Sequence, residues 1–205
     1  MKIINPSYEI LNTINGEEML RFIEKIGRVC YKSEDRITDD SAKSFVLALI
    51  KSGHESVLEH VSITVKFICD RGVSHEIVRH RIASYSQEST RYCNYSCDNF
   101  GNELTFIRPC FWKVGSQEYS RWLRMMESIE KLYMQLIRTG NQAQEARSIL
   151  PNSLKTEIVM TANLREWRHF LKLRTARDAH PQMREIAIPL LEELKSLVPV
   201  VFNDV

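Results

Sequence analysis

Apolar residues occupy every second position from 61 to 69, and this pattern constrains the fold more than any other part of the chain. The positions are Val61, Ile63, Val65, Phe67 and Cys69, and they alternate with serine, threonine and lysine over most of the segment. A period of two is typical of a β-strand with one buried face. We therefore predict a half-buried strand over residues 61–69.

Helical spacing of apolar residues dominates most of the remaining chain. The clearest helix covers about residues 117–139 and ends at Gly140. Others are predicted over 17–30, 41–52, 142–150, from Asn163 through Leu171, over 181–197 with a kink or break at Pro189, and over 74–81 with Ser74 as N-cap. Strands are predicted at 104–107 and 154–162, whereas 82–103 is polar. The pattern predicts an α+β fold, a single domain over residues 1–205 in which long helices wrap a small, mainly antiparallel sheet.

The composition is that of an ordinary globular protein. Hydrophobic residues make up 43% and charged residues 26% of the 205, which argues against disorder. The formal net charge is only +2, so bulk attraction to nucleic acid or to a membrane is not implied. No apolar run reaches the roughly 18–20 residues of a membrane span, and the first residues lack a signal-peptide pattern. Five cysteines in a chain of this size predict reduced thiols and a cytoplasmic location.

Several common site motifs are absent or have the wrong spacing. The chain contains neither a GxGxxG nor a Walker-type loop, so nothing local supports a Rossmann or P-loop fold. His54 and His60 resemble the histidines of a zinc-protease helix, but six residues turn a helix by about 600°, so the two rings face different sides. Cys93 and Cys97 lack a second cysteine pair. We therefore predict no metal site.

Residues 79–92 combine arginine and hydroxyl side chains at high density. This segment contains three arginines, one histidine, three serines and a threonine. Guanidinium and hydroxyl donors together suit a phosphate monoester. On a helix, Arg79 and Arg81 would point about 200° apart and would serve two different partners. The alternative is a solvated arginine-rich loop that is paired with nearby acids.

A second basic set follows Asn163. Arg165, Arg168, His169 and Lys172 share one face of a predicted helix, opposite an apolar face of Trp167, Phe170 and Leu171. This face can also be an ordinary exposed basic surface. Two separate basic clusters in a nearly neutral chain favour small anionic ligands over a continuous nucleic-acid surface.

These clusters resemble the motifs of the flavin-dependent thymidylate synthase family. The family signature is similar to Arg79-His80-Arg81, seven further residues, and then Ser89-Thr90-Arg91-Tyr92. Other family blocks resemble, in the same order, Gly53-His54-Glu55-Ser56 with Glu59-His60, Glu145 to Pro151, Thr161 to Trp167, and Phe170 to Arg174. Together the blocks cover about residues 15–198, and such an ordered set is highly specific.

The resemblance implies an α+β homotetramer that binds FAD in active sites shared between subunits. It places at FAD the residues Ser56, Arg79, His80, Arg81, Gln87, Asn163, Leu164, Arg165 and His169. It places at dUMP the residues Glu76, Ile77, Val78, Arg79, Gln87, Glu88, Ser89, Thr90, Arg91, Arg147 and Arg174, with Ser89 and Arg91 nearest the phosphate.

Arg174 is the catalytic residue that the resemblance implies. Its guanidinium would lie against the uracil ring and favour loss of the N3 proton, which activates dUMP without a cysteine nucleophile. A guanidinium suits this role because it is always charged and stabilises developing negative charge. NADPH would reduce FAD, 5,10-methylenetetrahydrofolate would supply the one-carbon unit, and the flavin hydride would complete the methyl group of dTMP.

Two positions depart from the family pattern, and two other functions fit the same residues. Several members have Asn-Glu where this chain has Ser86-Gln87, and others have Asn at the position of His169. The arginines would also serve a non-catalytic nucleotide- or RNA-binding module. A related flavoenzyme that alkylates another pyrimidine nucleotide is the second alternative.

Overall fold

The computed structural model describes all residues, 1–205. The strands are β1 (Lys2–Ile4), β2 (Ser7–Ile10), β3 (Ser62–Asp70), β4 (Ala83–Gln87), β5 (Thr105–Ile107) and β6 (Lys155–Asn163). The helices are α1 (Gly16–Val29), α2 (Ser41–Lys51), α3 (Arg71–Ile77), α4 (Gln117–Arg138), α5 (Ala143–Ala146), α6 (Leu164–Arg174), α7 (Pro181–Leu197) and α8 (Pro199–Phe202). Short 3₁₀ turns cover Glu34–Arg36, Glu55–His60, Asp98–Phe100 and Arg147–Ile149.

The strands form one four-stranded sheet and one two-stranded pair. The order in the larger sheet is β2-β3-β6-β4. Its central pairing is antiparallel: the Thr64 hydroxyl bonds that of Thr161 at 2.9 Å, and the Leu164 N–H donates to the Val61 carbonyl. β1 pairs with β5 in parallel, with Ile3 opposite Phe106. The predicted mixed fold with a small antiparallel sheet and many helices is confirmed, with one parallel pair added.

The chain divides into two compact units, and neither is a single continuous segment. The first contains Met1–Ser7, Phe67–Arg79 and Tyr85–Val159, and the second contains Tyr8–Lys66, His80–Ser84 and Met160–Val205. The predicted single domain over residues 1–205 stays a prediction.

The core of the first unit forms along α4. This helix begins at Ser116, whose hydroxyl accepts the Tyr119 N–H at 3.2 Å. Its apolar stripe buries Trp122 and Tyr133 in a cluster with Phe106 of β5. Leu104 and Leu154, which directly precede β5 and β6, belong to the same cluster, and all three are 1% exposed or less. The helical periodicity of residues 117–139 therefore correctly predicted a helix with one buried face.

The core of the second unit lies around α6 and α7. Trp167 is fully buried, and its indole N–H donates to the Ile63 carbonyl at 3.0 Å. This bond satisfies the only polar atom that the Trp167 side chain brings into the apolar interior. Phe170 packs edge-on against Trp167, with ring centroids 5.4 Å apart.

The predicted helix over 74–81 was wrong in both limits. α3 begins at Arg71, because the carboxylate of Asp70 accepts the Val73 N–H at 2.7 Å and acts as the N-cap. The Ser74 hydroxyl instead donates back to the Arg71 carbonyl inside the helix. Since α3 ends at Ile77, neither Arg79 nor Arg81 is helical, and the 200° separation expected on a helix does not apply to them.

Three other segments differ from the sequence-based expectation. The helix expected over 142–150 is a short α5 followed by a 3₁₀ turn. β4 lies inside the segment 82–103, where polar residues hide its alternation. α7 continues through Pro189 without a break. Pro189 is exposed, so the carbonyl that loses its helical partner can face solvent, while buried Ile186, Leu190 and Leu194 hold the opposite face.

None of the helices combines the length and the apolar composition that crossing a membrane requires.

Gly16 offers a test of packing in the second unit. As the first residue of α1, it lies so close to the Leu197 carbonyl that a Cβ would overlap that oxygen. We expect Gly16→Ala to lower the free energy of unfolding by about 1–3 kcal/mol, although alanine is normally the better helix former by about 1 kcal/mol. Urea unfolding of Gly16→Ala measures this change in the free energy of unfolding. The control is Gln117→Ala, at the exposed first position of α4. Equal stability of the two variants would contradict the close approach.

Candidate active site

Helix α6 carries most of the candidate site, and the end of strand β6 fixes where that helix begins. The Asn163 side chain accepts the Glu166 N–H at 2.9 Å, as the sequence predicted for a helix N-cap. The next residue, Leu164, is fully buried, and its N–H donates to the Val61 carbonyl at 2.9 Å. Strand pairing and capping together set the rotation of α6, and with it the directions of all its polar side chains.

His80 is the buried centre of this site. It lies between α3 and β4, is only 5% exposed, and packs edge-on against Phe170 with ring centroids 4.8 Å apart. Its Nδ1 lies 3.1 Å from Glu166 Oε1, and its Nε2 accepts from Arg174 Nε at 3.0 Å. The His169 ring lies 5.5 Å away, edge-on. The structure therefore brings together three residues that the sequence singled out and one, Glu166, that it did not.

The protonation state of His80 follows from its neighbours. Burial, and after it the positive charge of Arg174 and the proximity of His169, lower the pKa of His80 to about 4, so the ring is neutral at physiological pH. An arginine Nε can only donate, so His80 Nε2 carries the lone pair and Nδ1 carries the proton. That proton is donated to the Glu166 carboxylate. The contact is a hydrogen bond from a neutral ring and not an ion pair.

Glu166 is buried together with His80. It is 7% exposed, and this burial raises its pKa, while the nearby His169 opposes the rise. A carboxylate in such a position needs a donor, because burying an unpaired charge is costly. His80 Nδ1 supplies one donor and thereby stabilises the carboxylate.

His80, Glu166 and His169 could also be read as metal ligands, since their ligand atoms lie within 4.8 Å of one another. The chemistry around them argues for a different ligand. The Arg174 guanidinium donates to His80 Nε2 and places a permanent positive charge at the cluster. Positive charge at that point disfavours a bound cation and favours an organic anion.

An open cavity of about 600 Å³ lies along α6 in the second unit. It is lined by Glu55, Glu59, Ile82, Asn163, Arg165, Glu166, Arg168, His169, Lys172, Asp204 and Val205. The lining carries both signs of charge, so the basic face that the sequence indicated is partly neutralised within the chain.

Two of the arginines on this face already have acidic partners. Arg168 binds Asp204 through both Nη atoms, at 2.6 and 2.8 Å, and it also contacts Glu55 at 3.2 Å. The bond to Asp204 raises the pKa of Arg168 and fixes the side chain as a structural element. Arg165 pairs with Glu59 at 2.6 Å but is half exposed, which leaves it within reach of a ligand. Ser56 is exposed in the neighbouring 3₁₀ turn.

A second group of predicted residues lies in the first unit, where β4 ends. Gln87 donates to the Ser74 hydroxyl at 2.9 Å and to the Thr156 hydroxyl at 3.2 Å. Glu88 accepts from Tyr95 at 2.7 Å through Oε1 and from Lys155 at 2.9 Å through Oε2. Both side chains therefore anchor the segment that follows, and each is occupied by partners inside the protein.

The segment 89–91 turns sharply after these anchors. The Ser89 carbonyl accepts the N–H groups of Tyr92 and Cys93, and the Ser89 hydroxyl accepts the Arg91 N–H at 3.3 Å. Arg91 is exposed and donates to the neutral amide of Gln144 at 3.3 Å. A guanidinium that is held by an amide keeps its full charge for an anion. Thr90 is buried, whereas Arg147 is exposed at the start of the 3₁₀ turn after α5.

The remaining predicted residues lie at the end of α3 and just beyond it. Ile77 is fully buried, and its carbonyl accepts from Tyr85 at 2.9 Å. Glu76 is half-buried, and Val78, Arg79 and Arg81 are exposed. Arg79 and Arg81 therefore lie on the surface of the connection between α3 and β4.

Sequence reasoning missed two residues that organise these groups, Glu166 and Lys155. The spacing Asn163-x-x-Glu166 looks like an ordinary helix-capping pattern, which conceals the contact with His80. Lys155 and Glu157 alternate with apolar residues along β6, which marks a strand but not a salt bridge to Glu88.

Comparison with known proteins assigns the chain to a family. The family model described as thymidylate synthase complementing protein matches residues 10–200. Curated relatives named flavin-dependent thymidylate synthase are 37% identical in Pyrococcus abyssi and 35% identical in Pyrococcus furiosus. Each alignment covers 94% of this chain and 77% of the relative.

Solved structures share the fold. The UMP/dUMP methylase PolB from Streptomyces cacaoi, bound with 5-Br UMP, superposes with a TM-score of 0.79 over 99% of this chain and 95% of its own, at 22% identity. The fold likeness and the extent of the family match agree with the order of the motifs along the chain. The chain therefore belongs to the family of flavin-dependent thymidylate synthases.

Proposed function

We propose that the protein converts dUMP to dTMP, with 5,10-methylenetetrahydrofolate as one-carbon donor and NADPH-reduced FAD as hydride source. The observation that carries this proposal is the arginine at the end of α6, oriented by a buried neutral imidazole, in a chain of this family. A fixed guanidinium is suited to stabilising charge that develops on a bound pyrimidine.

The residues along α6 fit an FAD molecule. The cavity of about 600 Å³ is within the usual range for cofactor sites. Half-exposed Arg165 and exposed Lys172 offer positive charge to a pyrophosphate, and Asn163 and His169 offer polar groups beside them. When bound, FAD supplies the hydride chemistry that protein side chains cannot.

The FAD contacts that we propose follow the family set, with two adjustments from the structure. Ser56, Arg81, Arg165 and His169 are exposed in the second unit, so their side chains would be available to FAD. Arg79 is also exposed, and its contact with FAD is proposed from the family set alone. Both ring nitrogens of His80 have partners inside the protein, so His80 would contact FAD through its ring face. Leu164 is fully buried, so it would contribute by holding the start of α6 in place beside FAD.

The dUMP phosphate would be held by the turn at residues 89–91 with Arg147. Ser89 and Arg91 supply a hydroxyl and an uncompensated guanidinium, which are the groups that a phosphate dianion accepts from. Gln87 and Glu88 would act mainly by fixing this turn, since their side chains are already bonded to Ser74, Thr156, Tyr95 and Lys155. Main-chain atoms of Glu76 to Arg79 and of Thr90 would complete the nucleotide contacts.

Arg174 would activate the uracil ring by favouring loss of the N3 proton. Cys69 and Cys93 are poor nucleophiles by comparison, because burial raises the pKa of both thiols and favours their protonated forms. An arginine keeps its charge at every physiological pH, so the activation does not depend on a thiolate.

We further propose that the protein assembles as a homotetramer whose active sites take residues from more than one subunit. This arrangement comes from the family resemblance. It is compatible with exposed arginines at several separate places on one chain, among them Arg79, Arg91 and Arg147. In a symmetric oligomer such surfaces can meet at an interface.

The flavin is the first test of the proposed function. We expect the purified protein to bind FAD, to show flavin absorbance in the visible range, and to lose that absorbance when NADPH is added. The methylation assay then compares dUMP with UMP, which separates the proposed reaction from alkylation of another pyrimidine nucleotide. A colourless protein that takes up no added FAD would leave only the nucleotide- or RNA-binding alternative.

Arg174 is the second test. We expect Arg174→Ala to lower dTMP formation by about 100-fold or more while FAD content stays near the wild-type value, because the guanidinium acts on the pyrimidine. Arg174→Lys should not restore activity, since an ammonium lacks the planar fork and the Nε donor that bonds His80. Arg177→Ala, three residues further and exposed, is the matched control. Turnover close to wild type in either Arg174 variant would remove this residue from the reaction.

A further inference from the structure

We propose that Glu166 is a positioning residue for Arg174 and that it acts through His80. The carboxylate holds the Nδ1 proton of His80, which leaves Nε2 as the acceptor that orients the Arg174 guanidinium. The inference rests on the proposed function for its catalytic consequence, but the hydrogen-bond relay itself is a property of this chain alone.

Glu166 is buried, although its position three residues after an asparagine cap suggests an exposed acid in the first turn of a helix. In α1 the same pattern occurs as Asn15-x-x-Glu18: the Asn15 side chain accepts the Glu18 N–H at 3.2 Å, and Glu18 remains exposed. In α6 the cap bond is present, but the Glu166 carboxylate is buried against the His80 ring. Capping therefore accounts for the Asn163 side chain and does not account for the burial of Glu166.

The Glu166 carboxylate determines which nitrogen of His80 carries the proton. A neutral imidazole can carry its proton on either nitrogen, and only the Nδ1–H form can accept from Arg174 through Nε2. An ionised carboxylate is an acceptor only, so Glu166 selects the Nδ1–H form. An amide or a hydroxyl at the same place would permit both forms.

The bond to His80 orients the guanidinium of Arg174. It is the last residue of α6, where a long side chain has many rotamers unless something fixes it. A bond from Nε, at the base of the guanidinium, sets the plane of the whole group. The Nη atoms are then presented in one orientation, which is the requirement for a planar contact with a uracil edge.

Histidine NMR on the wild-type protein tests the relay without any cofactor or assay. In protein labelled with ¹⁵N-histidine and ¹⁵N-arginine, we expect the His80 signals, assigned by their loss in His80→Gln, to show a proton on Nδ1 and none on Nε2 between about pH 6 and 8. The Arg174 Nε–H should exchange slowly. A proton on Nε2 of His80 would overturn the proposal whether or not the protein is a flavoenzyme.

Variants at position 166 test the consequence for dUMP in the FAD-loaded protein. We expect Glu166→Leu to weaken dUMP binding and to slow single-turnover methylation, each by about 10- to 100-fold. Because Glu166 also lines the cavity that we propose for FAD, some loss of FAD content is expected, but it should be clearly smaller than the loss of dUMP affinity. In the FAD-loaded variant, the rate of flavin reduction by NADPH should stay within about twofold of wild type. Glu166→Gln keeps an acceptor for Nδ1–H but no longer selects that tautomer, so we expect it to recover only part of the loss. The same variant keeps the test available if Glu166→Leu does not fold. Glu18→Leu is the control for removing an acid after an asparagine cap.

The outcomes separate positioning from a purely structural role. Wild-type dUMP affinity and methylation in folded Glu166→Leu would contradict the proposal, and so would equal losses of FAD content and dUMP affinity in both Glu166 variants. If the protein binds no flavin at all, the proposed function fails, and the tautomer and the Arg174 exchange rate still decide the relay.

Discussion

The direct passage from strand β6 into helix α6 is the constraint on which the candidate site depends. The pairing of β6 with β3 fixes Asn163 in space, and the Asn163 side chain caps the helix at the Glu166 N–H. Leu164, Trp167 and Phe170 then bury one face of α6 completely. With this face packed in the core, the positions at which Arg165, Glu166, His169 and Arg174 leave the helix are fixed. Strand pairing and helix capping therefore position the helix that carries the site, and polar contacts then orient its side chains.

Electrostatics at the centre of the site depend on keeping one imidazole neutral. Burial lowers the pKa of His80 to about 4, and Arg174 acts in the same direction. A protonated ring could not accept from Arg174 and would add a second positive charge beside it. A neutral ring with a defined tautomer can bind a carboxylate on one side and a guanidinium on the other. Residues around His80 therefore organise charge for a bound anion without forming an ion pair of their own.

Much of the fold could be predicted from periodicity, because α1, α2, α4 and β3 bury a regular face. The limits of α3 could not, since Asp70 and Ser74 are both good caps and only the three-dimensional bond to Val73 decides between them. β4 was missed because its side chains are mostly polar. Hydrophobic periodicity predicts which face of a helix or strand is buried. It does not predict contacts between residues that are distant in the sequence.

The candidate site shows the same limit. Its arginines could be recognised from their motifs, and Asn163 from its capping position. The function of Glu166 could not, because its partner His80 is 86 positions away in the chain. The partners of Gln87 and Glu88 could not be predicted for the same reason, since they lie on β6, on α3 and in the segment after β4.

A double-mutant cycle on dUMP dissociation constants tests the central claim, that Glu166 influences the substrate only through Arg174. The cycle compares wild type, Glu166→Gln or Glu166→Leu, Arg174→Ala, and each combination, all loaded with FAD. The account predicts that the Glu166 substitution loses its effect in the Arg174→Ala background, so the coupling free energy equals the whole effect of Glu166→Leu. Additive losses, with the same fold-change in both backgrounds, would contradict it, because Glu166 would then act on dUMP by a route that does not include Arg174.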